Sequence, residues 1–201
     1  MAWDTERTRT LLLAAAVNEF SNKGLAGGRV DQIAAAAGVN KERIYQYFGK
    51  KDALFDAVLA AQLTRSVAKL TIEGEGAAAV GEYAGRLFDL HVTEPTTARL
   101  LFWEGLEKGA ESDVQPTRID HATILIRTLQ HALPGIDRDV AADLLITLVT
   151  LCSAWGVLPQ LDAILAGPNA DRTGPRREHI VRTATLLAES LHSGRATART
   201  A

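Results

Sequence analysis

Between Val30 and Phe48 the chain reads Val-Asp-Gln-Ile-Ala-Ala-Ala-Ala-Gly-Val-Asn-Lys-Glu-Arg-Ile-Tyr-Gln-Tyr-Phe, two short helical stretches parted by only three or four residues around Gly38. A connection that short forces the two helices to cross at a steep angle. The crossing needs a small side chain, which Ala34 supplies, and the turn needs a positive φ, which Gly38 adopts without steric cost. Ile33, Ala37, Val39, Ile44 and Phe48 are the apolar positions from which a small core under the corner can be made. This is a helix-turn-helix pattern, although an ordinary helical hairpin satisfies each feature taken singly.

The flanking sequence is helical on both sides. Leu12, Ala15, Ala16, Glu19 and Phe20 keep one face inward from about Asp4 to Lys23, where Gly24 supplies a stop. A second helix is expected over Val30 to Ala37, and a third from Asn40, which can cap it, to Phe48. A long fourth helix starts after Gly49, with Leu54, Val58 and Leu59 on one side. The stretch 71–76 carries two glycines and no pattern, which places a boundary near residues 60–75. Beyond it, helices are expected at about 77–92, 95–109, 116–133, 138–157 and 175–193, divided by Pro95, by Ser112 with Pro116, by Pro134-Gly135 and by Gly167 to Pro175. The expected organisation is a helix-turn-helix domain over 1–58, a larger helical domain over 59–193, and a disordered tail over 194–201.

Composition agrees with an all-α chain. Six prolines and sixteen glycines in 201 residues are few for an all-β protein, whereas strong helix formers are abundant. With a net charge of −2 the chain lacks the basic excess that by itself suggests a histone-like or non-specific nucleic-acid binder, so any DNA contact must be local. Residues 1–58 hold eight Lys and Arg against seven Asp and Glu, a net of +1; residues 59–201 hold fourteen against seventeen, a net of −3. The lone cysteine, Cys152, lies in an apolar stretch and reads as a small core residue with no disulfide partner. Leu11 to Val17 is short, follows Asp4 and Glu6, and runs into a helical pattern, which argues against a signal peptide. No stretch is read as approaching the ~20 apolar residues of a membrane span, and a cytoplasmic protein without a membrane partner is expected.

With these residues in view the chain resembles the TetR family of transcriptional regulators. The matching positions are Ala16, Phe20, Gly24, Ile33-Ala34, Ala37-Gly38-Val39, Tyr45, Tyr47-Phe48 and Lys51-Asp52-Ala53-Leu54, over about residues 8–58. The resemblance implies a helix-turn-helix domain joined to a carboxy-terminal helical bundle, a homodimer, a palindromic operator in double-stranded DNA, and release by a small-molecule effector. It makes Asn40 to Phe48 the helix that enters the major groove, with Lys41, Glu42, Arg43, Tyr45, Gln46 and Tyr47 exposed. Lys41 and Arg43 suit guanine O6/N7 or phosphates, Glu42 suits a cytosine amino group, and Tyr45 suits a thymine methyl. Tyr47 and Lys51 fall where the family usually contacts phosphate, and Lys51 also lies at the amino end of the fourth helix. One departure stands out: where members often place a phosphate-bonding threonine at the start of the second helix, this chain has Arg29-Val30, and Val30 has no side-chain donor. Arg29 is the candidate substitute. Arg29 and Lys50 also fit as plain surface charges, and Tyr45 and Tyr47 also fit as packing under the corner.

Past residue 60 the reading rests on physics. Val140, Leu144, Leu148, Leu151 and Trp155, and then Ile180, Ala184, Leu187 and Leu191, form stripes at three- and four-residue spacing. By the resemblance, the helices at about 138–157 and 175–193 pair with their copies as a four-helix bundle; packing inside one chain is the alternative. Phe88, His91, Phe102, Trp103, His121, Leu125, Thr128 and Trp155 mix aromatic and polar groups as an effector pocket would, though aromatics at helical spacing also make plain core. The histidines have no i,i+4 pair, so no metal is expected, and no cofactor. No Gly-rich phosphate loop, Gly-x-Ser-x-Gly or His-Glu-x-x-His is present, which leaves no basis for an enzyme. The alternative to a DNA-binding regulator is a ligand-binding or protein-interaction module whose helix-turn-helix no longer binds DNA.

Overall fold

A computed structural model describes residues 2–109, 115–167 and 171–198, with side chains placed for those between 5 and 191. Among the described residues there are ten helices and no strand. They are α1 (Ala2–Gly27), α2 (Val30–Ala37), α3 (Lys41–Phe48), α4 (Lys51–Lys69), α5 (Gly76–Thr93), α6 (Thr96–Glu107), α7 (Pro116–Ala132), α8 (Arg138–Val157), α9 (Pro159–Ala166) and α10 (Thr173–Ala198). Ser112 and residues 168–170, expected to part helices, lie outside the described residues, as do 199–201 of the expected tail.

The chain packs as two compact units: residues 1–65 with 96–118, and residues 66–95 with 119–201. The first unit is built around Leu12, Phe20, Ile33, Ile44, Phe55 and Leu59, all fully or almost fully buried, with Phe20 and Phe55 edge to face at 5.3 Å. Helix α6 belongs to this unit although α5 before it and most of α7 after it do not. Leu100 enters the first core, Arg99 Nε donates to the Ser21 carbonyl at 2.8 Å, and Trp103 Nε1 donates to the same oxygen at 3.3 Å.

α6 also settles where α1 bends. Gly24 has φ 72° and ψ −176°, outside the helical region, so the regular run of α1 stops there, as expected, and resumes across a kink to Gly27. The kink frees the Leu25 and Ala26 N–H groups, and both are donated to Glu107 Oε2, at 2.5 and 2.9 Å. A Cβ on Gly24 would sit 2.8 Å from the Trp103 ring, so that position requires glycine for space as well as for φ.

The second unit is centred on α5, α8 and α10, with Val80, Phe88, Leu129, Leu148, Ile180 and Ala184 buried. α5 and α10 approach closely: a Cβ on Gly81 would lie 2.1 Å from Thr185 Oγ1. Asp137 caps α8 by accepting the Val140 N–H at 2.9 Å. The two expected stripes mostly serve this unit's own core, with Leu144, Leu148, Ile180 and Ala184 buried and Leu187 left outside.

Two expectations need correction. α8 is long and apolar enough, by length and composition, to cross a membrane, with mean hydropathy 1.8, so the statement that no stretch comes near that length fails. Asp139 and Asp143 break the run when it is read residue by residue, but a window average passes over them. α9 is not among the expected helices; Pro159 opens it, since the first turn of a helix tolerates proline. α10 runs from Thr173 to Ala198.

Candidate nucleic-acid interface

The corner between α2 and α3 is made by backbone geometry. Gly38 N–H is donated to Ala35 O at 3.1 Å and Val39 N–H to Ala34 O at 3.0 Å, the paired bonds of a Schellman ending. Gly38 has φ 66° and ψ 29°, and a Cβ there would meet nothing within 4 Å. Conformation, not space, is therefore what demands glycine. Beneath the turn Ile33, Ala34 and Ile44 are buried, and Val30, Ala37, Val39 and Phe48 are partly buried against them.

Turning Ile44 inward leaves the opposite edge of α3 in solvent. Glu42, Arg43, Tyr45 and Gln46 are exposed, Tyr45 by 47%. Asn40 is exposed at the N-cap position with extended φ and ψ, but its side chain makes no capping bond. The Arg43 N–H that it would accept is taken by the Asn40 carbonyl at 3.0 Å. Tyr47 is half-buried, its ring 6.3 Å from that of Phe48, and packs onto the first core. Of the two readings offered for the tyrosines, core packing therefore describes the Tyr47 ring and solvent exposure describes Tyr45.

The charges around the corner are arranged in pairs. Lys41 Nζ lies 2.6 Å from Asp31 Oδ1. That hydrogen bond and the attraction of opposite charges hold the Asp31 carboxyl below its usual range and push the Lys41 ammonium up. Arg29 is exposed at the N-cap of α2, and its N–H is donated to Glu19 Oε1 at 3.0 Å. Lys23 contacts the same carboxylate at 2.8 Å. Desolvation pushes the Glu19 carboxyl up, but the bonds from Lys23 and from the Arg29 N–H outweigh it and hold the group below its ordinary value. Lys51 Nζ donates to the carbonyls of Ala26 and Gly28, at 3.2 and 3.3 Å, which ties the start of α4 to the α1–α2 turn. The result is an exposed strip from Arg29 through α3, carrying basic, acidic, amide and phenolic groups on one rigid corner.

The residues expected to form an effector pocket divide between the two units. Phe102 and Trp103 are on α6 in the first, where Trp103 anchors α1. In the second, Phe88 is fully buried and meets Trp155 edge to face at 6.0 Å, and Leu125 packs against the same core. His91 is buried, with Nδ1 3.3 Å from Ser153 Oγ. Burial pushes its imidazole below the ordinary value, and a backbone hydrogen bond at Cys152 offsets part of that. His121 is half-buried with Nδ1 lacking a hydrogen-bond partner among the described residues, while Thr128 donates back to the Ile124 carbonyl at 2.8 Å. Phe88, His91, Leu125 and Trp155 thus share a core. The bonds that sequence reasoning missed, Glu107 to Leu25 and Ala26 and Lys108 to Asp56, join residues too far apart for any periodicity to reveal.

Two family models match the chain. "Bacterial regulatory proteins, tetR family" covers residues 12–58, and "Tetracyclin repressor-like, C-terminal domain" covers residues 79–185. The HTH-type transcriptional repressor SCO4008 of Streptomyces coelicolor is 34% identical over 192 residues, which is 94% of this chain and 98% of that protein. The crystal structure of the transcriptional regulator SCO4942 from Streptomyces coelicolor superposes with a TM-score of 0.70 at 30% identity, covering 88% of this chain and 96% of that one. The same fold occurs in a TetR variant from Acinetobacter baumannii, solved in complex with minocycline, at a TM-score of 0.59 and 19% identity over 89% of this chain and 93% of that one.

Proposed function

The chain belongs to the TetR family of bacterial regulatory proteins and is a DNA-binding transcriptional regulator, not an enzyme, and on that premise we propose that it is a repressor that grips a palindromic operator as a homodimer and lets go when a small molecule binds. Members of the family bind operator DNA and small-molecule ligands and act as dimers. The observation that carries the reading is the exposed edge of α3, held rigid by Gly38, by the Ile33–Ile44 core and by the Lys41–Asp31 pair.

In the proposed complex Arg43, Glu42, Tyr45 and Gln46 reach base edges in the major groove, while Arg29, Asn40, Lys41, Tyr47 and Lys51 hold phosphates and fix register. Lys41 exchanges Asp31 for a phosphate. Arg29 takes the place of the missing threonine donor at position 30, and its backbone N–H, already held by Glu19, keeps the side chain at the rim of the corner.

Dimerisation is assigned to α8 and α10. Only 28% of the apolar window of α8 is buried within one chain, and Ile146 on α8 is 65% exposed, with Leu186 and Leu187 on α10 also open. Covering such a face with a second copy removes apolar surface from water. Residues 1–58 carry DNA contact, residues 59–193 the effector and dimer contacts, and α6 packs with the first from later in the sequence. Effector binding is proposed to act through α4, a continuous helix from residue 51 to residue 69, by changing the spacing of the two α3 helices.

The test is fluorescence anisotropy of a duplex taken from the region upstream of the gene, titrated with purified protein over a range of salt. Binding that weakens steeply as salt rises supports the reading; no binding at low salt overturns it.

A further inference from the structure

At the end of α8 the second unit holds a cavity of about 260 Å3, walled by α8, α9 and the start of α10. Its lining combines the apolar Trp155, Leu158, Leu161 and Leu165 with Arg172 and Arg176. Of the residues expected to touch an effector, Trp155 alone lines it.

The charges do not balance. Asp162, the one carboxylate among the described residues of the lining, is paired with Arg172 at 2.5 Å. Arg176 Nε is buried and meets no hydrogen-bond acceptor among the described residues, an arrangement that sacrifices its hydration without replacement. Asp171, just outside the lining, is already engaged in accepting the Thr173 N–H at 3.1 Å. Both arginines also stand at the amino end of the 26-residue helix α10, where the helix dipole repels a cation and attracts an anion. The two arginines less the one carboxylate leave the lining with a net charge of +1, and the helix end adds to it.

We propose that this cavity binds an amphipathic organic monoanion: a carboxylate that accepts from the Arg176 guanidinium, on a small aryl or alkyl body that packs against Trp155 and the leucines. Arg176, whose Nε has no acceptor among the described residues, selects a single negative charge, since Arg172 is paired with Asp162. The walls select an apolar body, and a volume just under the ~300–1,000 Å3 of drug-sized sites keeps it small. The inference rests on the ligand-responsive reading above and supplies the chemical class of its effector.

The test uses the full-length protein and 4-phenylbutyrate as probe, with 4-phenylbutan-1-ol as its neutral counterpart, read by isothermal titration calorimetry. The acid is expected to bind the wild type at least roughly tenfold tighter than the alcohol, the loss that one charged hydrogen bond commonly produces. Arg176→Gln is expected to remove that preference. Leu161→Ser, at a half-exposed position where folding is not at stake, is expected to weaken both probes; it decides the matter if circular dichroism finds Arg176→Gln unfolded. No uptake at millimolar acid, equal affinity for acid and alcohol, or indifference to both substitutions overturns the inference. Operator affinity in the same samples separates the two claims. Operator binding without uptake of the acid leaves the regulator standing and removes this site; uptake that leaves the operator complex intact supports the site and contradicts its effector role.

Discussion

Lys41 Nζ stands 2.6 Å from Asp31 Oδ1, so the first residue of the proposed recognition helix is tied to the second residue of the helix before it. Both side chains are well exposed, and an exposed pair of this kind contributes little to stability. Its consequence is for binding, because Asp31 occupies the ammonium that a phosphate would otherwise take. Asp31→Asn is expected to raise operator affinity by roughly two- to tenfold at moderate salt, through loss of a like-charge neighbour to the DNA backbone. Lys41→Gln is expected to lower affinity on all sequences alike and to reduce the slope of log K against log salt by about one. Anisotropy titrations at several salt concentrations measure both.

Gly38 holds a left-handed conformation with open space around it. Gly38→Ala is expected to cost about 1–2 kcal/mol, or a fall of roughly 2–8 °C in Tm for a chain of this size. Operator affinity is expected to fall with it, since the same turn sets the angle of α3. Calorimetry and anisotropy on one preparation give the two readings together.

Glu107 accepts the two N–H groups that the Gly24 kink leaves without helical partners. Glu107→Ala is expected to destabilise by about 1–2 kcal/mol, as loss of a capping carboxylate does. Glu107→Gln keeps one acceptor oxygen and is expected to lose less. Urea unfolding with unchanged m-values checks the pair.

His91 is buried with its imidazole pushed below the ordinary value by desolvation. The unfolded chain therefore takes up a proton that the folded chain refuses, so the stability linked to His91 is complete above the unfolded value of about 6.5 and falls as pH drops below it. His91→Gln is expected to flatten that part of the stability curve. Urea midpoints between pH 5 and pH 8 for both proteins read the difference.

The corner was legible in the sequence because local rules fix it. Gly38, the Ile33 and Ile44 spacing and the alanines between them determine where α2 ends and α3 begins, with no help from distant residues. Asn40 was half legible: its place as N-cap holds, but its own carbonyl takes the N–H that its side chain was expected to accept. α6 was legible as a helix and not as a member of the first unit, since the bonds from Arg99, Trp103 and Glu107 cross some eighty residues. The cavity was the least legible feature. It depends on α9, which is too short for periodicity to reveal, and on Arg176, whose neighbours become known only once α10 has packed.

The most direct test is whether the outer edge of α3 is what holds DNA. An upstream duplex carrying an inverted repeat should bind wild-type protein as two protomers per site, and the double substitution Arg43→Ala with Tyr45→Ala should weaken it by at least roughly tenfold while helix content and Tm stay unchanged, since both side chains are exposed. Equal affinity of the two proteins for that duplex, measured by anisotropy at the same salt, would contradict the account.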